Sequence, residues 1–301
     1  MPELPEVETV ARGLNRTVKG RKIKDVWTDW PKYFRLPKGE TAFKKCIVGR
    51  KITGAGRRAK YVLIALSGDY LLAIHQKMTG HLLYGFWKPG TGNRKPAGWE
   101  KEKWIPKPFS GPLTDPMNRF VRLIFFLDNK KMLAFSDVRR FGKVLCGPKD
   151  EVMNHLNGLG PEPLDPAFTF KKFKDLFLKK RGRIKQVIMN PEFIAGIGNI
   201  YADEILYAAK IHPLSRVEKL KDRELKAIYN ATKKILVSAI KVRGTSIDDF
   251  RDLAGKKGGY SDIRMVYQRA GQKCPRGHII KRIKIGGRSA HFCPTEQKLY
   301  K

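Results

Sequence analysis

Tyr61-Val-Leu-Ile-Ala-Leu66 and Tyr70-Leu-Leu-Ala-Ile-His75 are β-rich runs bounded by Gly, Pro and Asp, and reading them as strands decides the fold. Similar runs lie on either side. Lys22-Ile-Lys-Asp-Val-Trp27 precedes them, while Phe120-Val-Arg-Leu-Ile-Phe-Phe-Leu127 and Lys131-Met-Leu-Ala-Phe-Ser136 follow. Between Phe86 and Asn118 a Trp-, Pro-, Gly- and Lys-rich stretch shows no periodicity and reads as a long surface loop inserted between two strands. Ahead of the strands, Val7, Val10 and Leu14 have helical spacing. The N-terminal part is therefore expected to be a β-sandwich with an initial helix packed against it. From about Glu151 the period changes, and residues 170–178, 200–209 and 219–242 read as helices. Residues 244–259 read as a flexible loop, and the C-terminal end as a small β-hairpin carrying Cys274 and Cys293. The expected class is α+β, with domains over 1–147, 148–260 and 261–301 and a first boundary near Gly147-Pro148.

Composition narrows the partner. The chain has 301 residues, with 62 Lys+Arg against 28 Asp+Glu, a net charge of +34 and a pI near 10.2. A balance that basic points to a polyanion, nucleic acid before membrane or acidic protein. At 42% hydrophobic the chain is no disordered tail. The N-terminus is acidic and lacks an apolar core, and no apolar run approaches about 18 residues, so neither signal peptide nor membrane span is expected. Cys46, Cys146, Cys274 and Cys293 are too scattered for a secreted disulfide framework, which favours a reducing, intracellular setting.

The chemistry starts at Met1-Pro-Glu-Leu-Pro-Glu-Val-Glu-Thr9. With Met1 removed, Pro2 becomes a secondary amine with a pKa of about 8, neutral enough at pH 7 to attack an electrophilic carbon. Glu3 stands beside it as a proton donor, with Glu6 one turn on; the same residues also make an ordinary helix start. Gly56-Arg-Arg-Ala-Lys60 puts Lys60 at the mouth of a strand, suited to phosphate or proton transfer or simply a solvated turn. In His75-Gln-Lys-Met-Thr-Gly80, Met78 reads as an apolar wedge or as core. Asp137-Val-Arg-Arg-Phe-Gly142 offers Arg139 and Arg140 to phosphate and Phe141 to a base stack. Ala195-Gly-Ile-Gly-Asn199 permits close backbone approach to phosphate, but lacks the third Gly and preceding strand of a dinucleotide fingerprint. Residues 171–185 carry eight Lys/Arg, Lys180 and Arg181 among them, against one Asp, as an electrostatic track.

With Gly160-Pro-Glu-Pro-Leu164 and Gly286-Gly-Arg-Ser289 these motifs fall in one order, and together the chain resembles the formamidopyrimidine-DNA glycosylases of the Fpg/Nei family over nearly its whole length. The resemblance implies a helix–two-turn–helix domain, a zinc-finger-like terminal hairpin and bifunctional glycosylase/lyase activity on damaged double-stranded DNA. It implies that Pro2 attacks C1′, that Glu3 is the acid, and that Lys60 and Arg288 contact phosphates and serve the β- and δ-eliminations. It assigns Asn199 to phosphate and Met78, Arg139 and Phe141 to the void left by a flipped nucleotide; Glu6, Arg140, Lys180 and Arg181 are taken as further DNA-binding residues. DNA is expected in a cleft between domains, the protein to be a monomer, and catalysis to need no cofactor. Oxidised purines are the expected lesions and oxidised pyrimidines the alternative; a non-catalytic damage binder and a charge-held structural protein are the rivals.

Two departures stand out. The family's hairpin holds zinc through paired Cys-x2-Cys, but Gly277 and Glu296 replace two of the four thiols here. Cys274 and Cys293, with His278 as a substitute and Glu296 as a further donor, are the candidate ligands, and a zincless hairpin held by packing is the alternative. In the loop that the resemblance assigns to reading the flipped base, residues 243–250, acidic Asp248 stands where a basic residue is usual, and Asn190 replaces a common Asp.

Overall fold

A computed structural model of the chain describes residues 1–90, 96–178, 180–247 and 249–301. These form two compact units, residues 1–157 with 243–259, and residues 158–242 with 260–301.

The first unit begins with α1 (Leu4–Thr17), β1 (Ile23–Thr28), β2 (Phe34–Leu36) and α2 (Glu40–Ile47). Strands β3 (Ile52–Arg58), β4 (Tyr61–Leu66), β5 (Tyr70–His75), β6 (His81–Gly85), β7 (Trp87–Pro89) and β8 (Trp104–Pro106) follow. Then come β9 (Val121–Leu127), β10 (Met132–Ser136), β11 (Lys143–Pro148) and α3 (Lys149–Asn154). One sheet runs β1-β9-β10-β6 and the other β2-β11-β5-β4-β3, antiparallel except between β2 and β11. The alternation along β4 sends Val62, Ile64 and Leu66 into a core shared with Leu123, Phe125 and Leu127 of β9. Val7, Val10 and Leu14 of α1 enter the same core, each fully buried, at roughly 1.5–3 kcal/mol per side chain. This is the expected sandwich with its helix.

Three features differ from expectation. Residues 40–47, between the runs read as strands, form α2, whose Phe43 and Ile47 enter the core one turn apart. The 86–118 stretch contains a two-stranded ribbon, β7 with β8, and lays Trp87, Trp104 and Leu113 over Ile124, Ala134 and Met132 on the outer face of the four-stranded sheet. Strands of three residues ending in Pro89 and Pro106 are too short to register a period. Two segments also pack across the expected boundaries: α3 packs Val152 on Leu71, Ala73 and Leu145, and the 243–259 stretch, of which 244–259 reads as a flexible loop, belongs to the first unit, with Phe250 and Leu253 in its core.

The second unit holds α4 (Phe170–Phe177), α5 (Ile184–Met189), α6 (Asn199–Ala208), α7 (Asp222–Lys241) and α8 (Tyr260–Ile263), then the hairpin β12 (Lys281–Ile285) and β13 (Arg288–Phe292). Cys274 precedes the hairpin and Cys293 follows it, rather than lying within the strands. Lys185 of α5 bonds Asp203 of α6 and the Ser289 carbonyl of β13, each at 2.6 Å, and Asp203 accepts from His291 N at 2.8 Å. That buried pair ties the hairpin to the helices. Among the described residues no helix is long and apolar enough to cross a membrane.

Candidate active site

The N-terminus of α1 holds the first group. Pro2 is buried, and Glu3 and Glu6 are 2% and 1% exposed. They cap the helix reciprocally, each carboxylate accepting the other's backbone N–H, with Glu3 N to Glu6 Oε2 at 2.7 Å. Glu6 Oε1 accepts from Thr245 N at 2.6 Å. Gly244, at φ +75°, lies so close that a Cβ there would stand 2.5 Å from that oxygen. Glu6, expected as a DNA contact, is thus an internal brace between Glu3 and the 243–259 loop.

Lys60 follows the turn residue Ala59 and leads into β4. Strand register sets Tyr61 and Lys143 opposite His75, gathering Lys60, His75, Lys77 and Lys143 at one end of the five-stranded sheet. His75 Nδ1 accepts from Lys77 N at 3.0 Å, leaving the ring proton on Nε2. Burial, and then the charges of Lys77, Lys60 and Lys143, push its pKa down to about 3. Burial, Lys143 and Arg35 lower that of Lys77. A neutral N–H donor ringed by cations suits an anionic oxygen. His75 carried no role in the sequence reading, because only sheet register brings it beside Lys60.

Met78, Arg139 and Phe141 are exposed, Met78 by 40% and Phe141 by 51%. Their two loops are joined by Thr79 and Asp137, which the sequence reading passed over. Thr79 Oγ1 donates to Asp137 Oδ1 at 2.5 Å and accepts from Arg139 N at 3.1 Å. Asp137 Oδ2 accepts from Gly142 N at 3.0 Å and from Tyr33 Oη at 3.2 Å. The Arg139 guanidinium sits 4.7 Å over the Phe141 ring. Arg140 turns elsewhere: at φ +56° its guanidinium lies 3.6 Å from Asp29 and 4.9 Å over Trp30. It is a brace to the β1 end rather than a fourth exposed tip.

In the second unit Asn199 is the first residue of α6, with Gly198 as cap. Its buried Oδ1 has no hydrogen-bond partner among the described residues. The Gly160-Pro-Glu-Pro motif lies against the preceding loop, through Gly160 N to Pro191 O at 2.8 Å and Ala195 N to Pro161 O at 3.0 Å. Lys180 and Arg181 are exposed, with the Lys180 ammonium 5.6 Å over Phe193. Arg288 is exposed at the tip of the hairpin, opposite Ile285. Gly286 and Gly287 both have positive φ, as so tight a turn requires.

Cys274, His278 and Cys293 present a metal-binding cluster. Their Sγ atoms are 3.8 Å apart, Cys274 Sγ is 4.0 Å from His278 Nδ1, and all three ligand atoms lie within 4.8 Å of one another. Zinc–thiolate bonds of about 2.3 Å in a tetrahedron place sulfurs about 3.8 Å apart, so the donors fit the ion. Glu296 Oε1 lies 3.4 Å from His278 Nδ1, while its Oε2 is held by Arg276 at 3.2 Å and Lys210 at 4.0 Å. Of the loop assigned to base reading, Asp248 lies outside the described residues.

Comparisons with known proteins cover most of the chain in three segments. Residues 1–144 match the formamidopyrimidine-DNA glycosylase N-terminal domain, residues 159–251 the formamidopyrimidine-DNA glycosylase H2TH domain, and residues 271–295 the zinc finger found in FPG and IleRS. A formamidopyrimidine-DNA glycosylase of Pelotomaculum thermopropionicum is 40% identical over 99% of this chain and 100% of its own length. One of Heliobacterium modesticaldum is 37% identical over 99% and 100%. Among solved structures, a Lactococcus lactis FPG mutant bound to Fapy-dG-containing DNA is 31% identical with a TM-score of 0.83, covering 99% of this chain and 100% of that one. The same organism's Fpg with abasic-site DNA is 31% identical at 0.82, covering 98% and 99%.

Proposed function

The chain belongs to the formamidopyrimidine-DNA glycosylase family, and from that membership we propose how its own residues carry the reaction. It is a DNA glycosylase with lyase activity at abasic sites, excising oxidised purines such as 8-oxoguanine and formamidopyrimidines. Pro2 is the nucleophile. Its nitrogen lone pair bonds to C1′, the glycosidic bond breaks, and the base leaves with the bonding electrons and a proton. Glu3 passes the proton that opens the sugar, giving an iminium at C1′. Loss of a C2′ proton then expels the 3′ phosphate, a second elimination expels the 5′ phosphate, and water releases Pro2. Lys60 and Arg288 bind the departing phosphates, and Asn199, Lys180 and Arg181 hold the backbone. Met78, Arg139 and Phe141 fill the gap, offsetting the few kcal/mol that unstacking costs.

The observation that most supports this reading is the brace at Glu6, which fixes the backbone of Glu3 next to Pro2. The mechanism requires removal of Met1, because an acylated Pro2 nitrogen has no lone pair to give. Zinc, held by Cys274, His278 and Cys293, is structural; the nucleophile and acid are protein groups, so no catalytic cofactor enters. We take the protein to act as a monomer in a reducing, intracellular compartment. The test is borohydride trapping on duplex DNA with 8-oxoguanine or an abasic site, after the N-terminus is checked by mass. Wild type forms covalent adducts with both, Pro2→Gly with neither, and Glu3→Gln only with the abasic site. Absence of any adduct from a chain that begins at Pro2 would leave a DNA-binding protein.

A further inference from the structure

The 86–118 insertion does more than cover apolar surface. Arg251 is 3% exposed and forks onto Asp115 of that insertion, Nε to Oδ2 at 3.0 Å and Nη2 to Oδ1 at 3.1 Å. Its third nitrogen, Nη1, donates to Phe250 O at 2.9 Å. Asp115 Oδ1 also accepts from Met117 N at 2.9 Å, so the acid is fixed by its own turn. Burial works to raise the Asp115 carboxyl, but the bonds from Arg251 and Met117 outweigh it and hold the group below its ordinary value. Beside this fork, fully buried Asn118 donates to Pro112 O at 2.8 Å and reaches Gly255 O at 3.5 Å. From β6, Tyr84 N donates to Leu253 O at 2.8 Å.

Residues 250–255 are therefore gripped from the insertion and the sheet, while Thr245 is gripped by Glu6. The two anchors bracket the 246–249 span, whose Ser246 Oγ also donates to Phe250 O at 2.6 Å and accepts from Gly258 N at 2.8 Å. We propose that Asp115 and Arg251 are positioning residues for base selection, fixing the second anchor of a span whose first anchor is Glu6 and thereby setting which base it accepts. This rests on the reading above, in which the 243–250 loop faces the flipped base. A planar, bidentate pair suits the task because it fixes orientation as well as distance, which a Lys or a single hydrogen bond does not.

The experiment compares wild type, Arg251→Met, Arg251→Lys, Asp115→Asn and the charge swap Asp115→Arg/Arg251→Asp. Single-turnover release of 8-oxoguanine is measured beside cleavage of a preformed abasic site, which needs no base reading. Amide hydrogen exchange over 243–255 is measured without DNA. Arg251→Met and Asp115→Asn lower base release by about 10- to 100-fold, the scale of an ångström-sized misplacement. They leave abasic cleavage within about twofold and raise exchange across the loop. The milder Arg251→Lys, which keeps charge and bulk, gives an intermediate loss, and the swap recovers part of it. Parallel loss of both activities, or unchanged exchange in Arg251→Met, overturns the proposal. Should wild type itself release no base, the glycosylase reading fails, and loop exchange still decides whether the anchor exists.

Discussion

His75 and His81 are held neutral inside the first unit, and both shifts carry a stability consequence. Burial is the largest cause in each case, taking His75 to about 3 and His81 to about 4 from an ordinary 6.5. Below pH 6.5 the unfolded chain therefore takes up protons that the folded chain refuses. Stability is intact above that value and falls as pH drops toward about 4, by up to about 1.4 kcal/mol per pH unit for each ring. Urea unfolding at pH 7, 6 and 5 should show the decline, and His75→Asn should flatten it. A midpoint that stays constant across that range would mean the rings titrate as in water. The motif residues were picked out by their joint order along the chain, since each alone also fitted a helix start, a solvated turn or a core position. Their supports were not. Thr79 and Asp137 stand 58 positions apart, and nothing local marks a Thr hydroxyl as the joint between two loops.

Long β-rich runs such as β4 and β9 were read as strands, while β11, six residues ending in Gly147 and Pro148, was not. The helices α4, α6 and α7 were readable from their spacing, while α2 and the β7–β8 ribbon were too short to rise above their neighbours. The terminal hairpin region lacks two of the four thiols that the family resemblance implies, yet its remaining donors converge. Purified protein should carry one zinc per chain by elemental analysis, and Cys274→Ser should lose it. Glu296→Gln should weaken retention against a chelator by about 10-fold or more if Glu296 completes or orients the set. Metal loss should also weaken DNA binding, because it frees one end of the strand pair that presents Arg288. Chelation that leaves both hairpin exchange and DNA affinity unchanged would show that packing alone holds it.

Across the molecule, the surplus of 62 Lys+Arg over 28 Asp+Glu makes DNA binding an electrolyte-sensitive event. Replacing Lys180 and Arg181 together with Gln should weaken lesion-bearing and plain duplexes alike and reduce the slope of log affinity against log salt by up to about 2. Retention of the wild-type slope would remove both residues from the phosphate track. Composition alone gave this much. It could not show that 243–259 leaves the helical stretch to join the sandwich, since Phe250 and Leu253 look like any apolar residues in a Gly- and Lys-rich loop.

That excursion has a bearing on how the protein is born. The sandwich comes off the ribosome first, but two of its core side chains and the amide that Glu6 Oε1 accepts arrive only after the helices through α7 have been translated. Until then the nascent sandwich has an open flank, and the Glu3–Glu6 cap lacks its outer partner. Completion of the first unit thus waits on the second, which delays the finished setting of Pro2 and Glu3 until most of the chain exists.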